Sequence, residues 1–382
     1  MNTPVQGVVL SGGGAYGAYE VGVLKALVER GWAGPQVVTG VSAGAFNAAL
    51  LVGAYDMDLP RAVEHIEDIW LNRIPGHVFR VRADPRPLLG FESRDYLATA
   101  TRWISDVQSL SSDFLRRLLR LAPVGPFDER LLQLVDLASL ISVAPLERLL
   151  GEVVQPEELR RSTMKLSIIA TNWSTGKAEV FTNESMSDAD ALSIVMASAA
   201  IPGFFPPRKV GENIYVDGGL VMNTPLRPAI DDGADEIHII YLDPDIAKMP
   251  LQKFQNTFDT LDRVLAVNLA FHINSDIETA RQMNRAIGLF AEASNDVPET
   301  KMSDLAKLAA RWERVRSERP PRKLTIHRYH PQQDLGGLLG ILRFEKSAIE
   351  DLMQKGYQDT IRHDCVANDC EIPGEVGDSC PR

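Results

Sequence analysis

The sequence predicts an α/β fold, with a mostly parallel central sheet flanked by helices. Three observations predict it. Short apolar, β-branched runs alternate with helix-length segments from the start of the chain. Glycine-rich turns stand where a strand hands over to a helix, at residues 12–17 and 40–44. Further strand-length apolar runs return after residue 164: "KLSIIATNW", "NIYVDGG", "EIHIIYLDP" and "KLTIHRYHP".

The opening "GVVL" (Gly7 to Leu10) has the character of a buried parallel strand. Tyr19 to Arg30 follows as a helix, with Val21, Leu24 and Leu27/Val28 on one face and a Lys25–Glu29 pair on another. Gly31 ends it, where a left-handed residue costs little. Val37 and Val38 begin the second strand, and Ala43 to Ala54 form a small-residue helix.

A helical insertion is expected over about 56–158, broken by Pro75, Pro85, Pro87, Pro123, Pro126 and Pro145. Within it "DFLRRLLRLAP" (Asp113 to Pro123) is amphipathic and basic, suited to lipid headgroups or to packing its leucines on the body. Next come a hairpin turning at Ser174-Thr175-Gly176, a helix over Asp188 to Ala200 and a proline-forced loop, "IPGFFPP". Asn213 to Asp217 makes a strand, Pro225 opens a helix, and residues 250–318 read as long helices. "KLTIHRYHP" and "EKSAIEDLMQKGYQDT" supply a last strand and a closing helix. With no internal repeat, residues 1–362 are expected as one domain, with a C-terminal helical part over about 250–362. Residues 363–382 are expected as a disordered tail.

A net charge of −11 argues against nucleic-acid binding and against bulk attraction to anionic membranes. No run of about 18 apolar residues suits a membrane span. "MNTPVQ" lacks signal-peptide character and Asn2 excludes N-myristoylation, so a cytoplasmic protein, with at most peripheral membrane contact, is expected. The three cysteines, Cys365, Cys370 and Cys380, all sit in the expected tail, which argues against a disulfide framework for the core. Their C-x4-C-x9-C spacing, with His363 upstream, is a weak zinc pattern, so no metal is assigned and exposed thiols are expected.

Gly40-Val41-Ser42-Ala43-Gly44 is G-x-S-x-G between a strand and a helix, the setting of a nucleophile elbow. A serine nucleophile needs a base, and Asp217 leaves a strand ahead of Gly218 and Gly219; parallel strand ends gathered on one edge would bring it to Ser42. Gly12-Gly13-Gly14-Ala15-Tyr16-Gly17 spells the dinucleotide fingerprint G-x-G-x-x-G. That fingerprint requires a ribose-binding carboxylate at the end of the second strand. The strand ends instead in Ser42, so the loop suits an oxyanion better than NAD or FAD.

Taken together, "SGGGAYGAYEVGVL", "GVSAG" and "DGG" resemble the motifs of the patatin-like phospholipases, as do the connecting "ASAAIPGFFPP" and "NTPL". The resemblance runs in order over roughly the first 245 residues. It implies a three-layer fold and a lipid acyl hydrolase acting on phospholipids or lysophospholipids without a cofactor. Ser42 would be the nucleophile, Asp217 its base, and Gly12, Gly13 and Gly14 the oxyanion loop. Gly17, Gly40, Gly44, Gly218 and Gly219 would support these motifs. Tyr16 departs from the basic residue that many members carry. A Ser-Asp-His triad can also be written, from Ser42, Asp217 or Asp243, and His327, His330 or His363. A third reading is a non-catalytic lipid-binding or scaffolding protein on the same fold.

Overall fold

Val8, Leu10 and Val38 contribute to one apolar cluster while Val9 and Val37 contribute to another. Successive strand residues point to opposite faces, so both faces of the sheet are covered and three layers result. The computed structural model describes residues 3–82, 96–120, 140–242, 263, 277–287 and 323–372.

The first half runs β1 (Gln6–Leu10), a tight turn (Gly14–Tyr16) into α1 (Gly17–Glu29), β2 (Val37–Val41) and α2 (Ala43–Gly53). The insertion holds α3 (Leu59–Asp68), β3 (Arg80–Val81), α4 (Tyr96–Arg120), β4 (Ile141–Ser142), α5 (Ala144–Val153) and α6 (Pro156–Arg161). Then come β5 (Lys165–Asn172), β6 (Lys177–Thr182), α7 (Asp188–Ser198), β7 (Arg208–Val210), β8 (Asn213–Asp217) and α8 (Leu226–Asp231). The described remainder is β9 (Glu236–Ile240), α9 (277–287), β10 (Thr325–Tyr329), α10 (Gly337–Gly340) and α11 (Lys346–Ile361).

The sheet order is β10-β9-β1-β2-β5-β8-β7, with β6 also on β5. From β10 to β5 every pairing is parallel. The cluster on one face draws on α1, α2, α3, α5, α6, α7 and α11; the other face is covered by α8 and α9. Each large apolar side chain buried there contributes roughly 1.5–3 kcal/mol. α11 lies directly on α1. A Cβ on Gly22 would stand 2.0 Å from the Met353 carbonyl oxygen, and one on Gly356 would stand 2.1 Å from that of Tyr19, so the two helices meet backbone to backbone.

Three local expectations change. β8 is antiparallel to β5, so Asp217 does not arrive as one of a set of parallel strand ends. The insertion contains a short antiparallel ribbon, β3–β4, which two-residue strands are too brief to announce in sequence. Arg80 on that ribbon pairs with Asp106 of α4. Finally, residues 363–372 fold back on β10 rather than trailing with open thiols. β10 is the sheet's edge strand, and the Ile326 and Glu371 backbones exchange hydrogen bonds of 2.7 and 2.9 Å, satisfying groups that an edge leaves open. Cys365 is consequently 7% exposed. The amphipathic segment from Asp113 is helical in α4 as far as Arg120, with side chains from 114 outside the described residues. Most of the helical stretch expected over 250–318, and Asp243, also lie outside them.

Candidate active site

β5 explains how the site is assembled. β6 occupies one edge of it along residues 167–172. β2 takes the other edge at residues 165–169, and β8 takes the same edge at 170–172. β2 and β8 therefore run head to head: Val41 sits opposite Ile169, and Asp217 opposite Ala170. The residue after Val41 is Ser42, and its Oγ donates a 2.7 Å hydrogen bond to Asp217 Oδ2. Chain positions 175 apart meet because two strands share one rail.

Ser42 has φ 55° and ψ −122°, a left-handed conformation rare for a residue with a side chain. The surrounding hydrogen bonds hold it there. Its N–H donates to Ser198 Oγ at 2.9 Å, and Ser198 in turn donates to the Ile169 carbonyl at 2.6 Å. Ala45 and Phe46 donate back to the Ser42 carbonyl, opening α2. Gly44 packs on the end of β1, where a Cβ would lie 2.3 Å from the Leu10 carbonyl oxygen; Gly40 faces Gly44 in the same turn.

Asp217 accepts a second hydrogen bond, 2.7 Å from Gly219 N–H, on Oδ1. Its own N–H donates to the Ala200 carbonyl at 2.9 Å, and Gly218 fits between Val41 and the Ile169 carbonyl. Burial raises the Asp217 carboxyl from 3.8 to about 7, while the bonds from Ser42 and Gly219 pull the other way. A carboxyl poised there is a far better proton acceptor near neutrality than an ordinary one.

The glycine loop lies beside the pair. β1 ends level with β2, Leu10 opposite Gly40, so the loops that follow emerge together. Gly12 approaches so closely that a Cβ would stand 3.1 Å from Ser42 Cβ and 2.4 Å from Asn223 Oδ1. Asn223 clamps it twice: the Gly12 N–H donates to the Asn223 carbonyl and Asn223 Nδ2 donates to the Gly12 carbonyl, both at 3.2 Å. With Gly12 so occupied, Gly13 and Gly14 are the loop glycines whose N–H groups have no acceptor among the described residues. Next door, Ser11 and Thr224 hydroxyls share a 2.9 Å bond.

Tyr16 is buried, and its hydroxyl donates to the Gly337 carbonyl at 2.7 Å. Ala15 N–H donates to the Ile341 carbonyl at 2.8 Å, so residues 337–341 are tied to the loop at two points. Beneath it the Gly17 carbonyl accepts from Asn47, which also donates to Glu20 and accepts from Trp70 Nε1. Burial pushes the Glu20 carboxyl well above its ordinary range, against the pull of Asn47 and the Ser11 backbone.

Sequence reasoning missed Ser198, Asn223 and Thr224 as site residues. Their signal was the quoted "ASAA" and "NTPL", which fix the backbone that carries Ser42 and Gly12. The three triad histidines lie elsewhere. His327 and His363 group with Cys365 and Cys370, and His330 stacks on Tyr241. No described histidine is hydrogen-bonded to Ser42 or Asp217. Chemically, the arrangement offers a hydroxyl on a buried base beside unoccupied main-chain donors, which is equipment for attack on a carbonyl.

The chain belongs to the patatin-like phospholipase family, whose description matches residues 8–230. It is similar to probable lipid hydrolase 463L of Invertebrate iridescent virus 6, 35% identical over 74 residues, which covers 19% of this chain and 26% of that protein. Among solved structures it resembles VipD from Legionella pneumophila, with TM-score 0.37 and 17% identity over 94% of this chain and 67% of the other. Human GIVD cytosolic phospholipase A2 gives TM-score 0.36 and 13% identity over 67% of this chain and 48% of that one.

Proposed function

We propose that the protein is a serine-dependent lipid acyl hydrolase that cleaves carboxylic esters of phospholipids or lysophospholipids. The observation that carries this reading is the 2.7 Å bond from Ser42 Oγ to an aspartate raised to about 7. Asp217 takes the Ser42 proton as Oγ attacks the acyl carbon, and the Gly13 and Gly14 N–H groups stabilise the oxyanion. Collapse of the tetrahedral species expels the alcohol or lysolipid, which takes the proton from Asp217 and leaves an acyl-Ser42 ester. Water then attacks that ester, giving its proton to Asp217, and the fatty acid departs as the proton returns to Ser42. Membership of the family supports the substrate class, since hydrolysis of phospholipid is the activity in the family's name.

Among the described residues no helix is long and apolar enough to cross a membrane. The test is a hydrolysis panel of phospholipid, lysophospholipid and neutral ester on wild type, Ser42→Ala and Asp217→Asn. Fatty acid release by wild type and its loss in both variants is expected; release that persists in either variant contradicts the mechanism.

A further inference from the structure

Three strands from β2, the opposite edge of the sheet carries a second concentration of chemistry. His327 Nδ1, His363 Nε2, Cys365 Sγ and Cys370 Sγ all lie within 4.8 Å of one another. Cys365 Sγ is 3.7 Å from His327 Nδ1 and 3.6 Å from His363 Nε2; Cys370 Sγ is 3.5 Å from His363 Nε2. A tetrahedral zinc ion with sulfur at about 2.3 Å and nitrogen at about 2.0–2.1 Å places neighbouring sulfur and nitrogen ligands about 3.6 Å apart. These three sulfur–nitrogen spacings are those of the edges of such a tetrahedron, and the remaining pairs lie within 4.8 Å.

The surroundings hold the four groups in place. His327 is wholly buried, stacked on His238 at 5.0 Å, and its Nε2 has no hydrogen-bond partner among the described residues. Glu236 Oε1 stands 3.6 Å from that nitrogen, the position from which a carboxylate orients a histidine ligand bound through its other nitrogen. The turn bearing the cysteines is fixed on β10 by the Ile326–Glu371 bridge and by Arg328, which donates to Asp369 Oδ2 at 2.8 Å. His363 rests against the Tyr329 ring, centroids 4.5 Å apart.

In this structure Cys365 is disulfide-bonded and Cys370 is a free thiol. We propose that His327, His363, Cys365 and Cys370 form a zinc site that becomes competent when the Cys365 disulfide is reduced. A dithiol reductant supplies two electrons and two protons, breaking the S–S bond, yielding two thiols and becoming a disulfide itself. Zinc then binds the Cys365 and Cys370 thiolates, releasing their two protons to solvent, together with His327 Nδ1 and His363 Nε2 as neutral ligands. The bound ion locks residues 363–370 to β10 and closes the edge of the sheet. The site is independent of the ester chemistry proposed for Ser42.

The test uses full-length protein, stripped with a chelator, prepared reduced and oxidised, incubated with zinc chloride and desalted. Reduced protein is expected to retain about one zinc ion per chain, melt at higher temperature with zinc than without, and shield two of its three thiols from a thiol reagent. Cobalt in place of zinc should give the visible bands of a tetrahedral site with thiolate charge transfer. Cys370→Ser and the half-buried His363→Gln should each weaken retention by at least about tenfold, and Glu236→Gln by about tenfold with the metal still bound. His363→Gln lies outside the sheet and keeps the test decisive if a His327 variant fails to fold. Failure of reduced wild type to hold zinc, or full retention by Cys370→Ser and His363→Gln, overturns the site. Equal retention by oxidised protein overturns the switch.

Discussion

Ser42 and Asp217 are both costly residues. Ser42 sits in a left-handed conformation that costs on the order of 1–3 kcal/mol and persists only where its surroundings enforce it. Ser198 and the start of α2 do the enforcing. Asp217 is raised to about 7, so between roughly pH 4 and 7 the folded protein holds this proton more tightly than the unfolded chain does. Its contribution to stability is therefore greatest below the unfolded value and falls as pH rises through about 7. Taking a carboxyl from 3.8 to about 7 corresponds to roughly 4 kcal/mol against the folded, ionised state. Asp217→Asn should then be more stable than wild type at pH 8 by up to that amount, and nearly equal at pH 4, as read by denaturant melts. The catalytic consequence has the opposite sign. Only the carboxylate can accept the Ser42 proton, so kcat/KM should climb with pH to a plateau above an apparent pKa near 7. A rate already flat at pH 5 would remove Asp217 as the base.

Among the elements, β5 does most to make the site, by giving one edge to two strands that meet end to end. The parallel core was legible because buried parallel strands read as apolar runs, and "VVL", "VVTGV" and "EIHII" do so. The direction of β8 was not legible, because "NIYVD" carries no mark of which way it runs beside its partner. Nor did Asn223 stand out. An asparagine's value here is one side-chain hydrogen bond, set beside a main-chain one, to a residue 211 positions away, which no local pattern announces. Asn223→Ala should leave the Gly12 carbonyl unpaired, cost about 1–3 kcal/mol of stability and lower kcat more than it raises KM. Steady-state kinetics alongside a melting curve separates the two effects. Tyr16, which departs from the basic residue expected on resemblance, is an anchor for residues 337–341. Tyr16→Phe should cost about 0.5–1.5 kcal/mol, the worth of one hydrogen bond, in a thermal melt.

For the molecule as a whole, early and late described segments of the chain are joined in one unit, with β1 and β10 in the same sheet. α11 closes over α1, and the segment after it seals the β10 edge. From sequence that segment read as a tail because C-x4-C-x9-C alone is a weak pattern; the histidine that completes the cluster, His327, comes from a strand 38 residues before Cys365. The motifs around Ser42 were legible for the opposite reason. An elbow and a glycine loop are local backbone devices, and local devices are written in consecutive residues. What ties the molecule together is that both devices sit on the ends of adjacent parallel strands, with the aspartate delivered from a third. The most direct measurement is fatty acid release from phospholipid vesicles and lysophospholipid by wild type, Ser42→Ala and Asp217→Asn, each checked for folding at pH 8. Release by wild type alone, with both variants folded and inactive, is the result predicted. Turnover by folded Asp217→Asn close to that of wild type would contradict the Ser42–Asp217 pair as the engine of the reaction.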